Sequence, residues 1–532
     1  MIGMRTKSRG RDALGDHYDY VVVGGGAAGS VVAGRLSESA DRTVLLLEAG
    51  AADTDPDILA PRGAGHLLRG EYDWCDMTVP QPELSGREVP ISAGRTLGGG
   101  GAINFLAWYR GHRLDYDNWA SKGMRGWGWS DVLPRFRRSE DHESGASPLH
   151  GTGGPIAVTT AKDINPMSLA FITAGVENGL PFNRDFNGAE LDGVGLQYSN
   201  VRSGRRNSAA HGYLHPAQHR PNLTVHTHAL VQRVVLDQGV ARGVVFTDAA
   251  GREVTVGASS VVVSAGAMRT PQLLMLSGVG PAEHLRELGI EVAHDLPGVG
   301  GNLHDHPAAM IRWPVIHGDT WIQDFTPENE RLYADSRSGP LASPMGEAAA
   351  FLRCGADAPA PDIQLIPMVM DFTGGPDPTF TCLVVLLRPE SRGTIRLRSA
   401  DPSAKPLVDP RYLSGEADRE LLVEGTRRTL GIGSAPALRP YLGKAAVSTS
   451  DRDDVLLQAV RDSLISINHP AGTCRAGTDA DAVVDPALKV RGIEGLYVID
   501  ASVMPDLPRG NAHAPSIMIG ERGADLLLQS SR

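Results

Sequence analysis

Gly24-Gly25-Gly26-Ala27-Ala28-Gly29 is the feature that most limits what this chain can become. It stands between a β-rich run, Tyr18 to Val23, and a helically spaced run, Ser30 to Leu36. Thr43-Val44-Leu45-Leu46-Leu47-Glu48 follows as an apolar stretch of the kind buried in a parallel sheet. Together they form a βαβ unit of Rossmann type. Gly24 permits the tight turn, Gly26 lets the backbone approach a pyrophosphate, and Gly29 allows close helix–strand packing. The helix start then offers free N–H groups to phosphate. Glu48, 24 residues after Gly24, ends the second strand, where a carboxylate accepts the hydroxyls of an adenosine ribose. An acid there suits FAD or NAD and would repel the 2′-phosphate of NADP.

At 532 residues the chain is long enough for two domains. Its charge, 51 − 62 = −11, argues against nucleic acid or an anionic membrane as partner. No apolar run approaches the ~20 residues of a membrane span. Met1 to Gly15 is basic and polar and lacks the apolar core of a secretory signal. The four cysteines, Cys75, Cys354, Cys382 and Cys474, lie far apart, which points to a reducing, cytoplasmic setting. No metal-ligating set is expected.

Ala51 to Gly94 is rich in Pro, Gly and Asp and reads as a ligand-covering loop. Strands are expected over Leu223–His228, Ala229–Leu236, Ala241–Thr247 and Arg252–Val256, with a hairpin turn at Asp248 to Gly251. Ser260 to Ser264 is a further strand, leading into Gly266. From about Ile311 to Ser463, strands such as Phe380–Leu387 and Thr394–Leu397 accompany a helix over Glu416–Leu430, suggesting a separate antiparallel-sheet domain. The predicted organisation is an α/β, mixed α+β chain. A discontinuous cofactor domain takes residues 17–160, 200–312 and 464–530; a substrate domain takes 161–199 and 313–463.

Four consecutive glycines in Gly94-Arg95-Thr96-Leu97-Gly98-Gly99-Gly100-Gly101-Ala102-Ile103-Asn104 let the main chain lie flat against a ring or phosphate. Asn468-His469-Pro470-Ala471-Gly472 sets a histidine on a turn. Asn511-Ala512-His513-Ala514-Pro515 sets another just before a helix over Ser516–Leu528. The basic clusters Arg135–Arg138 and Arg202–Arg206 read as solvated faces. Trp321, Phe325, Phe351, Phe372 and Phe380 fit either an apolar substrate pocket or core packing.

Taken together these motifs resemble the glucose–methanol–choline (GMC) family of FAD-dependent alcohol oxidoreductases. So do Ser264-Ala265-Gly266-Ala267, Thr270-Pro271-Gln272-Leu273-Leu274, Ser277-Gly278-Val279-Gly280 and Gly300-Gly301-Asn302-Leu303-His304-Asp305-His306. The resemblance runs from about Tyr18 to the C-terminus. It implies oxidation of an alcohol through hydride transfer to flavin N5, with His469 as base and His513 as its partner; a primary alcohol is the expected substrate. It implies FAD contacts from Gly24, Gly26, Ala27, Ala28, Gly29, Glu48, Ala49, Arg95, Gly98, Gly99, Asn104, Val231, Asp500, Ala501 and Ala512. Relatives usually carry Ser or Thr at Gly100 and Gly101. Some attach FAD through a histidine at the position of Ile103, which has no nucleophile, so non-covalent FAD is expected. Partners would be the alcohol and O2 or another acceptor, in a monomer or homodimer. A nicotinamide dehydrogenase, a flavin lyase without net redox and a non-enzymatic flavin binder stay open as alternatives.

Overall fold

A computed structural model describes residues 14–371, 377–447 and 452–530. Strand β1 (His17–Val23), helix α1 (Ala27–Leu36) and strand β2 (Val44–Leu47) form the expected unit, with β1 and β2 parallel and in register from Tyr20↔Val44 to Val23↔Leu47. β1 and β2 are almost wholly buried, as a strand covered on both faces must be. Helix α1 begins three residues earlier than expected, because Gly26 takes the extended cap position.

Seven strands make this sheet. Leu223–His226 lies outside β2, and Glu253–Val263 lies beside β1. Glu253–Val263 serves two neighbours with its two halves. Residues 253–257 form the hairpin with Val240–Thr247, and Val261–Val263 run parallel to Leu496–Val498. The C-terminal segment thereby returns to the cofactor sheet. Leu230–Asp237 completes the antiparallel edge. Helices α2 (Gly266–Leu276) and α3 (His513–Ser530) pack with this sheet's core, α3 lying along α1.

The second sheet is antiparallel throughout, in the order Ile465–Ser466, Pro307–Pro314, Thr379–Leu386, Ile363–Met368, Ala348–Leu352 and Gly193–Leu196. Helix Glu416–Gly433 lies close on it at Gly425, where a Cβ would stand 2.8 Å from Val384. Trp321, Phe351 and Phe380 are buried in this second core, Phe325 packs against it, and Phe372 lies outside the described residues. None of the four described aromatics lines the main cavity, so the core reading holds for them.

Both basic clusters depart from the solvated reading. Arg135 and Arg138 pair with Asp525 of α3, and Arg138 also with Glu521. Arg206 is buried, because strand alternation at Arg205-Arg206 turns the first outward and the second inward. Among the described residues, no helix is long and apolar enough to cross a membrane.

Candidate active site

A cavity of about 580 Å³ opens where the α1 start, the Gly94–Asn104 loop, the α2 start and the loops carrying His469 and His513 meet. That volume lies within the range of small-molecule and cofactor sites. Gly24, Gly26, Ala27, Ala28, Glu48, Ala49, Arg95, Gly99, Asn104, Val231, Asp500, Ala501, Ala512, His469 and His513 all line it. Gly29 and Gly98 stand behind the wall. A side chain on Gly29 would collide with the Gly24 carbonyl, and Gly98 N–H donates to the Gly25 carbonyl at 2.8 Å.

The α1 end has no side-chain cap, so its first N–H groups face the cavity unclaimed by side chains. Glu48 is buried and held at both oxygens: Gly25 N–H donates to Oε2 and Gly50 N–H to Oε1, each at 2.8 Å. Burial nevertheless pushes its pKa up to about 7. Asp500 accepts from Gly266 N–H (2.9 Å), Thr270 Oγ1 (2.6 Å) and Ser502 N–H (2.8 Å), which fixes the start of α2. From the 51–94 segment, Leu68, Asp73, Trp74, Ser92 and Ala93 reach the cavity, and Arg95 and Arg269 stack on the Trp74 ring.

His469 is held from three sides. Its backbone N–H donates to Asp305 Oδ1 at 2.8 Å, its Nδ1 meets His306 Nδ1 at 3.0 Å, and its Nε2 meets Asn511 Nδ2 at 3.2 Å. Asp305 is itself buried and accepts from Tyr412 OH (2.6 Å), Ser466 Oγ and His306 N–H. The left-handed Asn468, at φ +64°, turns the chain into this position.

The hydrogen-bond chain assigns the tautomers. Leu387 offers only a carbonyl, 3.1 Å from His306 Nε2, so that nitrogen carries the proton. Burial pushes the His306 pKa down to about 4, so the ring is neutral and its Nδ1 is an acceptor. The proton between the two rings therefore belongs to His469 Nδ1. His469 Nε2 is left with its lone pair, accepting from the Asn511 amide. Burial, with His306 and His513 nearby, holds the His469 pKa well below the ordinary histidine value.

His513 is the first residue of α3 rather than a residue before it. Burial and the neighbouring Arg206 guanidinium push its pKa down to about 4. Its ring lies edge-on to Trp108, with centroids 6.1 Å apart, and its Nε2 has no partner within the protein. Gly101 faces this ring: a Cβ there would come within 2.5 Å of His513 Cε1. Arg206 donates to the carbonyls of Ile58 (2.8 Å), Gly101 (3.2 Å) and Asn104 (2.8 Å), and to Asn104 Oδ1 (2.9 Å), so it ties down the glycine loop from behind.

Several of these residues were not singled out from sequence. Asp305, His306 and Asn511 sit in quoted motifs without a role, and only the fold brings the 305–306 pair to His469. Arg206 is hidden among four other basic or small residues. Asp53, His211 and His215 also come together, and none of them lines this cavity. The His-x-x-x-His spacing on one turn is the signal that would have found them.

The bound group these features fit is FAD. A carboxylate stands at the end of β2, capless N–H groups line the wall, and the buried His513 Nε2 and Asn511 Oδ1 lack partners. Models of the N-terminal and C-terminal parts of GMC oxidoreductases match residues 18–308 and 389–520. An alcohol dehydrogenase [acceptor] from Pseudomonas putida is 38% identical over 529 residues, covering 96% of this chain and 96% of that one. A pyridoxine 4-oxidase from Mesorbium loti superimposes with a TM-score of 0.88 at 33% identity, covering 96% and 99%. A formate oxidase from Aspergillus oryzae RIB40, studied for its FAD modification, gives 0.91 at 30% identity, covering 97% and 99%.

Proposed function

The chain belongs to the GMC oxidoreductase family, as an FAD-dependent oxidoreductase acting on alcohol donors, and from that premise we propose that His469 is the general base for a neutral, primary alcohol. The observation that carries this reading is the lone pair left on His469 Nε2 by the chain running from Leu387 through His306. A neutral imidazole at that point takes the hydroxyl proton as the C–H bond breaks. The imidazolium so formed keeps its Nδ1–H on His306 Nδ1, an acceptor already in place. His513, neutral and with Nε2 free, donates to the substrate oxygen as negative charge develops there. The Asn511 amide, which donates to His469 Nε2 in the protein alone, yields that lone pair to the substrate hydroxyl when the alcohol binds.

Glu48 would hold the adenosine ribose, the α1 start with Gly26 the pyrophosphate, Val231 the neighbouring wall, and the Gly94–Asn104 loop the flavin ring. FAD held there would supply the hydride acceptor, with O2 or another acceptor as the final oxidant. Ile103 lines the same wall and offers no nucleophile, which supports non-covalent attachment.

A neutral substrate is supported by the carboxylates of the cavity, all of which are committed. Glu48 and Asp500 hold backbone N–H groups as described, and Asp73 accepts from the N–H groups of Arg69, Cys75 and Ala93. None of the three is hydrogen-bonded to His469 or His513, the residues that would meet the substrate oxygen. Phe105, Leu106, Ala107 and Ile467 add an apolar lining. The test is anaerobic mixing of the holoenzyme with a panel of alcohols while flavin bleaching is followed. Bleaching by neutral primary alcohols is expected. Failure of every alcohol would favour a lyase instead, and preference for a quaternary ammonium alcohol would overturn the substrate reading.

A further inference from the structure

Asp53, His211 and His215 form the one group of three metal-competent side chains found among the described residues, and none of them lines the active-site cavity. Asp53 lies two residues past Ala51, which bridges to Thr96 at the root of the glycine loop. Its side chain is wholly buried, and no Lys or Arg pairs with it among the described residues. His215 Nε2 stands 2.9 and 3.0 Å from its two oxygens, and His211 Nδ1 stands 3.2 Å from Oδ2. A buried carboxylate with no strong cation beside it is costly.

The two histidines are four residues apart on one continuous turn, π-helical over Ala210–Leu214 and 3₁₀ over His215–Ala217. That spacing sets both imidazoles on one face, with ring centroids 4.7 Å apart. Single π turns of this kind recur at functional sites. The three ligand atoms all fall within 4.8 Å of one another. A tetrahedral ion with arms of ~2.0–2.1 Å sets its ligands about 3.4 Å apart, close to the 2.9 and 3.2 Å by which the two imidazoles already approach Asp53, so side-chain adjustment brings all three atoms onto one ion. The imidazoles are 23% and 33% exposed, which leaves the solvent side open for water.

We propose that Asp53, His211 and His215 bind one divalent first-row transition cation, with Zn²⁺ the best match to two imidazoles and a carboxylate. The lone pairs of His211 Nδ1 and His215 Nε2 and one Asp53 oxygen take the ion, and the Ser208 hydroxyl, 3.0 Å from His211 Nδ1, turns away to release that lone pair. The proton that His215 Nε2 shares with Asp53 moves to Nδ1, which faces the Gln218 amide at 3.4 Å; rotation of that amide presents its oxygen as acceptor. The ion joins the segment after β2 to the Arg206–Ala217 segment. Arg206 binds the glycine loop from there, and Ser208 Oγ packs 3.0 Å from where a Gly98 side chain would be. The site is structural and independent of the alcohol chemistry.

The test uses holoenzyme stripped with a chelator, then titrated with ZnCl2, desalted and assayed for zinc per chain and for melting temperature. One equivalent per chain and a raised melting temperature are expected. His211→Ala and His215→Ala should each weaken binding by at least the ~10–100-fold that loss of an outer-shell partner costs. Their flavin spectra show whether each variant has folded with FAD. Substoichiometric zinc in the wild type would overturn the site, as would one tight equivalent retained by the double variant.

Discussion

His306 Nδ1 lies 3.0 Å from His469 Nδ1, while the Leu387 carbonyl holds the far nitrogen of His306 at 3.1 Å. This pair sets which nitrogen of His469 is basic. His306→Leu removes the acceptor and frees the His469 ring to exchange tautomers. Flavin reduction by alcohol should slow at least about tenfold, yet less than the ~10²–10⁴-fold of a lost base. His306→Gln, whose amide oxygen can accept from His469 Nδ1, should recover part of the rate with KM little changed. Stopped-flow reduction at matched FAD occupancy measures this, and a wild-type rate in His306→Leu would remove His306 from the account.

Glu48 carries a pH signature. Its carboxyl, raised to about 7 by burial, is protonated below that value in the cofactor-free protein. Ribose hydroxyls donate to the ionised form, so FAD binding releases the proton, and affinity falls as pH drops below about 7, by up to tenfold per unit. Glu48→Gln should flatten this dependence and weaken binding by ~1.5–3 kcal/mol. Titration of apoprotein with FAD between pH 5.5 and 8 checks both, and a flat wild-type profile would show that Glu48 does not meet FAD as an anion.

Gly101 and Gly100 should behave oppositely. A methyl on Gly101 meets the His513 ring, whereas one on Gly100 meets nothing within 4 Å. Gly101→Ala is expected to cost ~1–3 kcal/mol of stability and to slow flavin reduction by displacing His513. Gly100→Ala should leave both near wild type. Thermal melts and single-turnover rates for the two variants decide it; equal effects would mean that the ring is not packed on Gly101.

Ile103 bears on attachment. Acid precipitation of the holoenzyme should release all FAD into the supernatant, where absorbance reads it. Yellow colour kept by the washed precipitate would show a covalent link from some other residue.

The parts of this site that sequence made legible are those where one short segment carries the whole signal. Gly24 to Glu48 is such a segment, since turn, helix start and terminal acid are neighbours in a single βαβ unit. His469 and His513 were visible through the small and Pro residues around them. The restraint on His469 was not, because Asp305 and His306 lie more than 160 residues away and meet it only through the second sheet's edge at Ile465–Ser466. Arg206 was misread because charge runs say nothing about which member faces inward. The aromatics of the middle segment were ambiguous for a related reason: core and pocket select the same side chains, and only packing separates them.

The most direct test of the mechanism is the anaerobic rate of flavin reduction by a bleaching alcohol in His469→Ala, His513→Ala and His513→Asn, each with full FAD occupancy. His469→Ala should be slowed ~10²–10⁴-fold, as befits loss of the group that takes the hydroxyl proton. His513→Ala should also be slowed. His513→Asn should keep much more activity, since an amide still donates to the substrate oxygen. A near wild-type rate in His469→Ala would contradict the assignment of His469 as the base.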